Sequence, residues 1–244
     1  MCLKKMKITV CENYDEMSEK AAEIFIDNLK KAPSMTLGLA TGSTPIGLYK
    51  NLVNAYKKSE ISFKSVTTFN LDEYVPITPD NEQSYIYFMK DNLFNHVDMD
   101  ESKINIPNGQ AADPEKEAVE YDKKIEAAGG IDLQLLGVGP NGHIAFNEPG
   151  EYLISATHVT GLTEKTIKAN SRFFASIDDV PKHALTMGIG PIFSAKKLVV
   201  LIAGNGKKEV YEMLKTGKIT TQCPATLLHL HADCTVLVDK DSIK

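Results

Sequence analysis

Short apolar runs alternate with amphipathic helical stretches along nearly the whole chain, and this alternation limits the fold more than any single motif. Residues 7–10 (KITV) read as a first strand. Residues 14–31 follow, with Met17, Ala21, Ile24, Phe25 and Leu29 on one helical stripe. MTLGLA (35–40) is the next strand. A helix after TGSTP buries Ile46, Leu48, Tyr49, Leu52, Val53 and Tyr56. VTTFN (66–70) is a strand, 82–96 and 115–128 are helices, and the apolar run opening at Ile131 is a buried strand. LVVLIA (198–203), a helix over 207–215 and the strand CTVLVD (234–239) complete the series. Such alternation predicts βα units and a mostly parallel sheet covered on both faces. No repeat, low-complexity tract or Pro/Gly linker divides the 244 residues, so a single domain over 1–244 is expected. Residues 151–181 are the least regular and are the candidate for a lid over a site.

Composition narrows the function classes. No apolar run approaches the roughly 18 residues that a membrane span needs. The start, MCLKKMKITV, is too short and too polar for a signal peptide. A net charge of −5 argues against non-specific nucleic-acid binding. Cys2, Cys11, Cys223 and Cys234 form no CxxC pair, so reduced thiols and a cytoplasmic location are expected. Cys223, His229, His231 and Cys234 are zinc-type residues close in sequence. Their spacing matches no common ligand pattern, and LLHLHAD alternates as a strand does, so packing and no metal are expected there.

Four segments that follow strands carry suitable chemistry. In Thr41-Gly42-Ser43-Thr44-Pro45, Ser43 or Thr44 can cap the next helix and Pro45 suits its first position. Glycine lets backbone approach a ligand, and the helix start favours an anion such as phosphate; a capped turn without ligand is the other reading. Leu71-Asp72-Glu73-Tyr74 reads as a loop with adjacent carboxylates, either solvated or facing the other loops. Gly137, Gly139 and Gly142 spell GxGxxG after a strand. However, GHIAFNEPG has no helical stripe, and no acidic residue lies in the region 157–162, so a dinucleotide cradle is rejected. Asn141, His143 and Glu148 form instead a polar cluster in which a carboxylate can orient an imidazole. Among 27 basic side chains, Arg172 is the only arginine, and its planar fork binds phosphate or carboxylate bidentately unless it serves a buried ion pair. Lys207 and Lys208 follow the GNG turn at a helix start, where they add positive charge to a pocket or are solvated.

Together, LGLATGSTPIGLY, TTFNLDEYVPI, LLGVGPNGHIAFNEPG, NSRFF, ALTMGIG and GNGKK resemble the glucosamine-6-phosphate deaminase family, in family order from about Met35 to His231. The resemblance implies an α/β, modified Rossmann-like three-layer sandwich that binds no nucleotide. It implies conversion of glucosamine 6-phosphate and water to fructose 6-phosphate and ammonia, without metal or other cofactor. By the same resemblance, Asp72 is the base that moves a proton from C2 to C1, and His143 is the ring-opening acid/base. Glu148 and Asn141 orient and tune that histidine. Arg172 and Lys207 hold the phosphate, with Thr41, Gly42, Ser43 and Thr44 completing its site. The cationic pocket is expected to keep Asp72 ionised.

Two departures from the family pattern matter. Many members carry Asp where this chain has Asn141, which hydrogen-bonds but carries no charge. Members activated by N-acetylglucosamine 6-phosphate carry basic residues where this chain has His158 and Thr160, and they extend beyond its C-terminus. The expected state is a monomer or small homo-oligomer, not an obligate allosteric hexamer, with a small phosphosugar as its partner and neither nucleic acid nor membrane. The alternatives are a galactosamine-6-phosphate deaminase, a 6-phosphogluconolactonase and a non-catalytic phosphosugar-binding module.

Overall fold

The computed structural model describes residues 6–171, 174 and 176–244. Seven strands form one sheet in the order β1-β10-β9-β6-β2-β3-β5, and every neighbouring pair is parallel. They are β1 (Lys7–Cys11), β2 (Thr36–Leu39), β3 (Thr67–Asn70), β5 (Ile104–Asn105), β6 (Leu133–Gly137), β9 (Leu198–Ile202) and β10 (Cys234–Asp239). Helices flank this sheet as the alternation predicts. Helix α1 (Tyr14–Lys31) buries Met17, Ala21, Phe25 and Leu29 and packs against α2 (Ile46–Lys57). Helix α4 (Pro114–Ala127) places Tyr121 edge-on against Phe69 of β3, with centroids 5.7 Å apart. All five residues of β9 are buried, as a central parallel strand with both faces covered requires.

A second sheet departs from the sequence reading. LDEY is not a loop: β4 (Asp72–Val75) pairs antiparallel with β8 (His183–Thr186), which pairs antiparallel with β7 (His158–Gly161). Three strands here are short, and one follows β3 after a single residue, so no separate apolar run announces them. Residues 151–181 are accordingly more regular than expected. They contain β7, helix α5 (Glu164–Asn170) and a 3-10 turn at Ile177–Asp179. The helix expected over 82–96 shortens to α3 (Tyr85–Asn92) plus a 3-10 turn. Helix α6 (Ile189–Phe193) and helix α7 (Lys208–Lys215) complete the set. LLHLHAD is no strand, because Pro224–Leu230 winds as a 3-10 helix. No described helix is long and apolar enough to cross a membrane.

The sheet order also fixes where a site belongs. From β2 the chain proceeds outward to β3 and β5, whereas from β6 it proceeds the other way to β9. The loops leaving β2 and β6 therefore diverge and open a crevice at the carboxyl ends of those strands.

Candidate active site

The loop after β6 closes on itself before it presents any side chain. Gly139 N–H donates to the His143 carbonyl at 3.0 Å, and Gly142 N–H donates to the Gly139 carbonyl at 3.0 Å. A Cβ on Gly139 would collide with the His143 ring, so glycine lets the imidazole lie against the backbone. Gly142 has φ +85 and faces the Cys223 thiol so closely that a side chain there would collide as well. Ala145 holds φ +53, a strained conformation for a residue with a Cβ, just beyond the histidine.

His143 Nδ1 lies 2.9 Å from Glu148 Oε1, although the ring N–H is not aligned along that line as a hydrogen bond requires. The carboxylate has two further donors. Asn141 Nδ2 donates to Oε2 at 2.5 Å, and Thr166 Oγ1 of α5 donates to Oε1 at 3.1 Å. Burial alone pushes the Glu148 carboxyl up, but the close imidazole of His143 and the bonds from Asn141 and Thr166 outweigh it and leave the group below its ordinary value. Asn141 also accepts the His143 backbone N–H at 3.2 Å, so it braces both ends of the pair.

Asp72 opens β4 and is buried. Burial, with the Glu73 charge adding to it, pushes its carboxyl up to about 8. The described residues place no cation at hydrogen-bonding distance from it, and Arg172, on which the expected cationic pocket rests, lies outside them. Glu73 faces elsewhere. It accepts the N–H groups of Tyr85 at 2.9 Å and Ile86 at 3.1 Å, and so caps α3. The two adjacent carboxylates thus divide: Glu73 holds a helix start, and the Asp72 carboxyl has no hydrogen-bond partner among the described residues.

Strand β8 joins the two halves. Asp72 pairs with Thr186, and Thr186 Oγ1 accepts the Phe146 N–H at 3.1 Å. Asn147 Nδ2 donates to the Met187 carbonyl at 2.8 Å, and Met187 N–H donates to the Leu71 carbonyl at 2.7 Å. The strand of Asp72 and the loop of His143 are therefore fastened to the same two residues. Neither Thr186 nor Thr166 was singled out in the sequence. ALTMGIG held Thr186 without an apolar alternation, whereas the T-x-x-T spacing of Thr163 and Thr166 was a readable helix-cap signal.

The elements expected to hold an anion sit on either side of this loop, because β2 and β9 flank β6. Gly42 has φ +91 and open space at its Cβ position. The expected cap by Ser43 or Thr44 is not formed, and Pro45 precedes the helix rather than starting it. Instead the Tyr14 hydroxyl accepts the Gly47 N–H at 2.8 Å and lies 3.1 Å from the carbonyls of Ser43 and Thr44. Ser43 is exposed, and Thr41 and Thr44 are half-buried. Lys207 is buried; its Nζ donates to the Val138 carbonyl at 2.6 Å, and burial pushes its ammonium down to about 8. Arg172 lies outside the described residues.

Other candidates carry less. His229 contacts the Leu214 carbonyl at 2.8 Å and His231 the Ala195 carbonyl at 2.7 Å, which are packing roles. No group of three metal-type side chains that could hold an ion occurs among the described residues. A groove of about 680 Å³ is lined by Lys30, Tyr56, Glu60 and Asp98. It lies at the amino ends of β2 and β3, away from the crevice.

Comparisons with known proteins bear on the fold and the family. Residues 12–237 match the model of the glucosamine-6-phosphate isomerases/6-phosphogluconolactonase family. A glucosamine-6-phosphate deaminase of Clostridium perfringens (strain 13 / Type A) is 52% identical over 239 residues, covering 98% of this chain and 99% of that protein. One from Thermoanaerobacter pseudethanolicus is 53% identical over 237 residues, covering 97% and 94%. The solved structure of a monomeric glucosamine-6-phosphate deaminase superposes with a TM-score of 0.94 at 46% identity, covering 98% and 100%. A 6-phosphogluconolactonase from Thermotoga maritima shares the fold, with a TM-score of 0.74 at 20% identity over 96% and 99%. The chain belongs to the glucosamine-6-phosphate isomerase/6-phosphogluconolactonase family.

Proposed function

We propose, from that family membership and the site geometry, that this protein deaminates and isomerises glucosamine 6-phosphate to fructose 6-phosphate and ammonia. The observation that carries the reading is the pairing of a buried, otherwise uncommitted Asp72 with the His143–Glu148 couple across Thr186 and Met187. A phosphosugar-binding module has no use for two proton-transfer groups. Lactone hydrolysis needs no base at C2, and the lactonase likenesses under 25% identity concern the fold alone.

In this mechanism His143 moves a proton between the anomeric hydroxyl and the ring oxygen, and the pyranose opens to the aldehyde. Asp72 takes the C2 proton while the aldehyde oxygen gains one, giving an enolamine. Asp72 returns its proton to C1, which leaves a ketose imine at C2. Water adds to that imine, and ammonia departs. Asp72 has to shed its resting proton first, and the cationic nitrogen of an aminosugar beside it favours the charged carboxylate. A neutral sugar offers no such help. Lys207, Arg172 and the turn of Thr41, Gly42, Ser43 and Thr44 hold the phosphate, whose charge stabilises the Lys207 ammonium. The protein works as a monomer or small oligomer in cytoplasmic amino-sugar catabolism, without activation by N-acetylglucosamine 6-phosphate.

The test is incubation with glucosamine 6-phosphate, galactosamine 6-phosphate and 6-phosphogluconolactone, with ammonia, ketose phosphate and acid release measured. Ammonia and fructose 6-phosphate in equal amounts from the first substrate are expected. Lactone hydrolysis without ammonia release would overturn the reading. Light scattering and rate curves with and without the effector test the assembly.

A further inference from the structure

We infer that Thr166 is a positioning residue for the His143–Glu148 pair, and that through it the cap of helix α5 sets the geometry of that pair. The inference rests on the deaminase reading only for its kinetic readout.

Glu148 and Asn141 belong to one loop, so their bond is local. Thr166 comes from a different element and is the donor that reaches Oε1, the same oxygen that faces His143 Nδ1. Rotation of the carboxylate is restrained at Oε2 by Asn141 and at Oε1 by Thr166. Without the second restraint Oε1 has only the imidazole, whose N–H is not aligned with it.

The helix cap explains why Thr166 points this way. Thr163 is the N-cap of α5, and its Oγ1 accepts the Thr166 N–H at 3.2 Å. Position 166 is the third helical residue, where a Glu or Gln would reach back to the cap. Threonine is too short to do so, and its hydroxyl turns to Glu148. The two hydroxyl oxygens are 2.9 Å apart. Since the Thr166 proton is directed to Glu148, the proton between the hydroxyls belongs to Thr163. The result is a chain of donors from Thr163 to Thr166 to Glu148 Oε1, ending beside His143.

The same segment touches the other half of the site. Phe174 meets Tyr74 of β4 edge-on at 5.9 Å. The segment after β7 is thus fixed at one point to the loop of His143 and at another to the strand of Asp72.

A hydroxyl donor on Glu148 draws charge from the oxygen that His143 faces. Its loss removes the restraint from the oxygen that His143 faces and changes the environment of the imidazole. Among the described residues, the other titratable groups about the loop are Cys223 against Gly142 and Lys207 on the Val138 carbonyl, and neither is hydrogen-bonded to Thr166. The test uses the full chain with Thr166→Val and Thr166→Ser. Thr166→Val is expected to lower kcat about 10- to 100-fold, the scale of one hydrogen bond to a charged group. It should move the His143 midpoint in the unliganded protein, followed by NMR. Thr166→Ser should restore both. NMR titration needs no turnover, so an inactive wild type would overturn the deaminase reading while still testing Thr166. If Thr166→Val fails to fold, Thr166→Ala is measured in its place. An unmoved His143 midpoint, or a Thr166→Ser variant as impaired as Thr166→Val, overturns the proposal.

Discussion

The two sheets of this molecule are built on opposite terms. In the seven-stranded sheet the strands are apolar and buried on both faces: Leu37, Leu133, Leu135 and Val200 are each fully buried. In the three-stranded sheet, β7 is only half-buried or exposed and β4 carries two adjacent carboxylates. Burial of apolar surface contributes about 25 cal/mol per Å², so the large sheet holds the molecule together. The small sheet places a carboxyl where burial disfavours its charge, an arrangement that weakens the fold and suits a proton carrier.

The sharpest way to break this division is Asp72→Asn. Loss of a proton-transfer group should lower kcat/KM by about 10²- to 10⁴-fold. Stability should move the other way. Asp72 binds a proton in the folded protein up to about pH 8, whereas an unfolded chain releases it near pH 4. Folding therefore loses stability as pH rises through that window. Asparagine lacks this loss, so the variant should gain on wild type from pH 4 to 8, by on the order of a few kcal/mol. Thermal melts across that range check it, and a variant that melts lower than wild type at pH 8 contradicts the division.

Leu37→Ala in the large sheet should do the reverse. It should destabilise by about 2–5 kcal/mol in denaturant titrations and leave the pH profile of kcat/KM in place. Glu73→Ala stands between the two. Tyr85 and Ile86 would lose the acceptor for their N–H groups, a cost of about 1–3 kcal/mol. Because the Glu73 charge helps to raise Asp72, the acid limb of kcat/KM should also move to lower pH. An unmoved limb would separate Glu73 from the chemistry. Lys30→Ala, at an exposed pair 3.2 Å from Glu60, should change stability by less than about 0.5 kcal/mol.

The same contrast governs what could be read from the sequence. Strands β9 and β10 are continuous apolar runs, and α1 carries one clean stripe, so their positions follow from short-range pattern. The small sheet is stitched from separated segments: Asp72 pairs with Thr186, 114 residues on, and His158 pairs with the same residue across 28. No local periodicity reports such pairing, which is why LDEY read as a loop and ALTM as nothing in particular. The polar cluster of Asn141, His143 and Glu148 was legible because it lies within eight residues of sequence. Its outer support was not, because Thr166 arrives from another element. The cap of α2 was misjudged for the same reason: Tyr14, from the preceding helix, supplies the hydroxyl that Ser43 or Thr44 was expected to provide.

The order of the large sheet bears on how the chain is made. Among the described residues, strand β1 pairs only with β10, in a register that sets Lys7 beside Thr235. Its partner is synthesised more than 200 residues later. Until then β1 has unpaired backbone groups beside apolar Ile8 and Val10, the kind of exposed strand that recruits other chains. Closure of this ladder is a contact of high sequence separation, which makes for slow folding. Loss of the β10 segment would leave β9 as a bare apolar edge, so nascent or clipped chains should aggregate even when the residues of the crevice are all present.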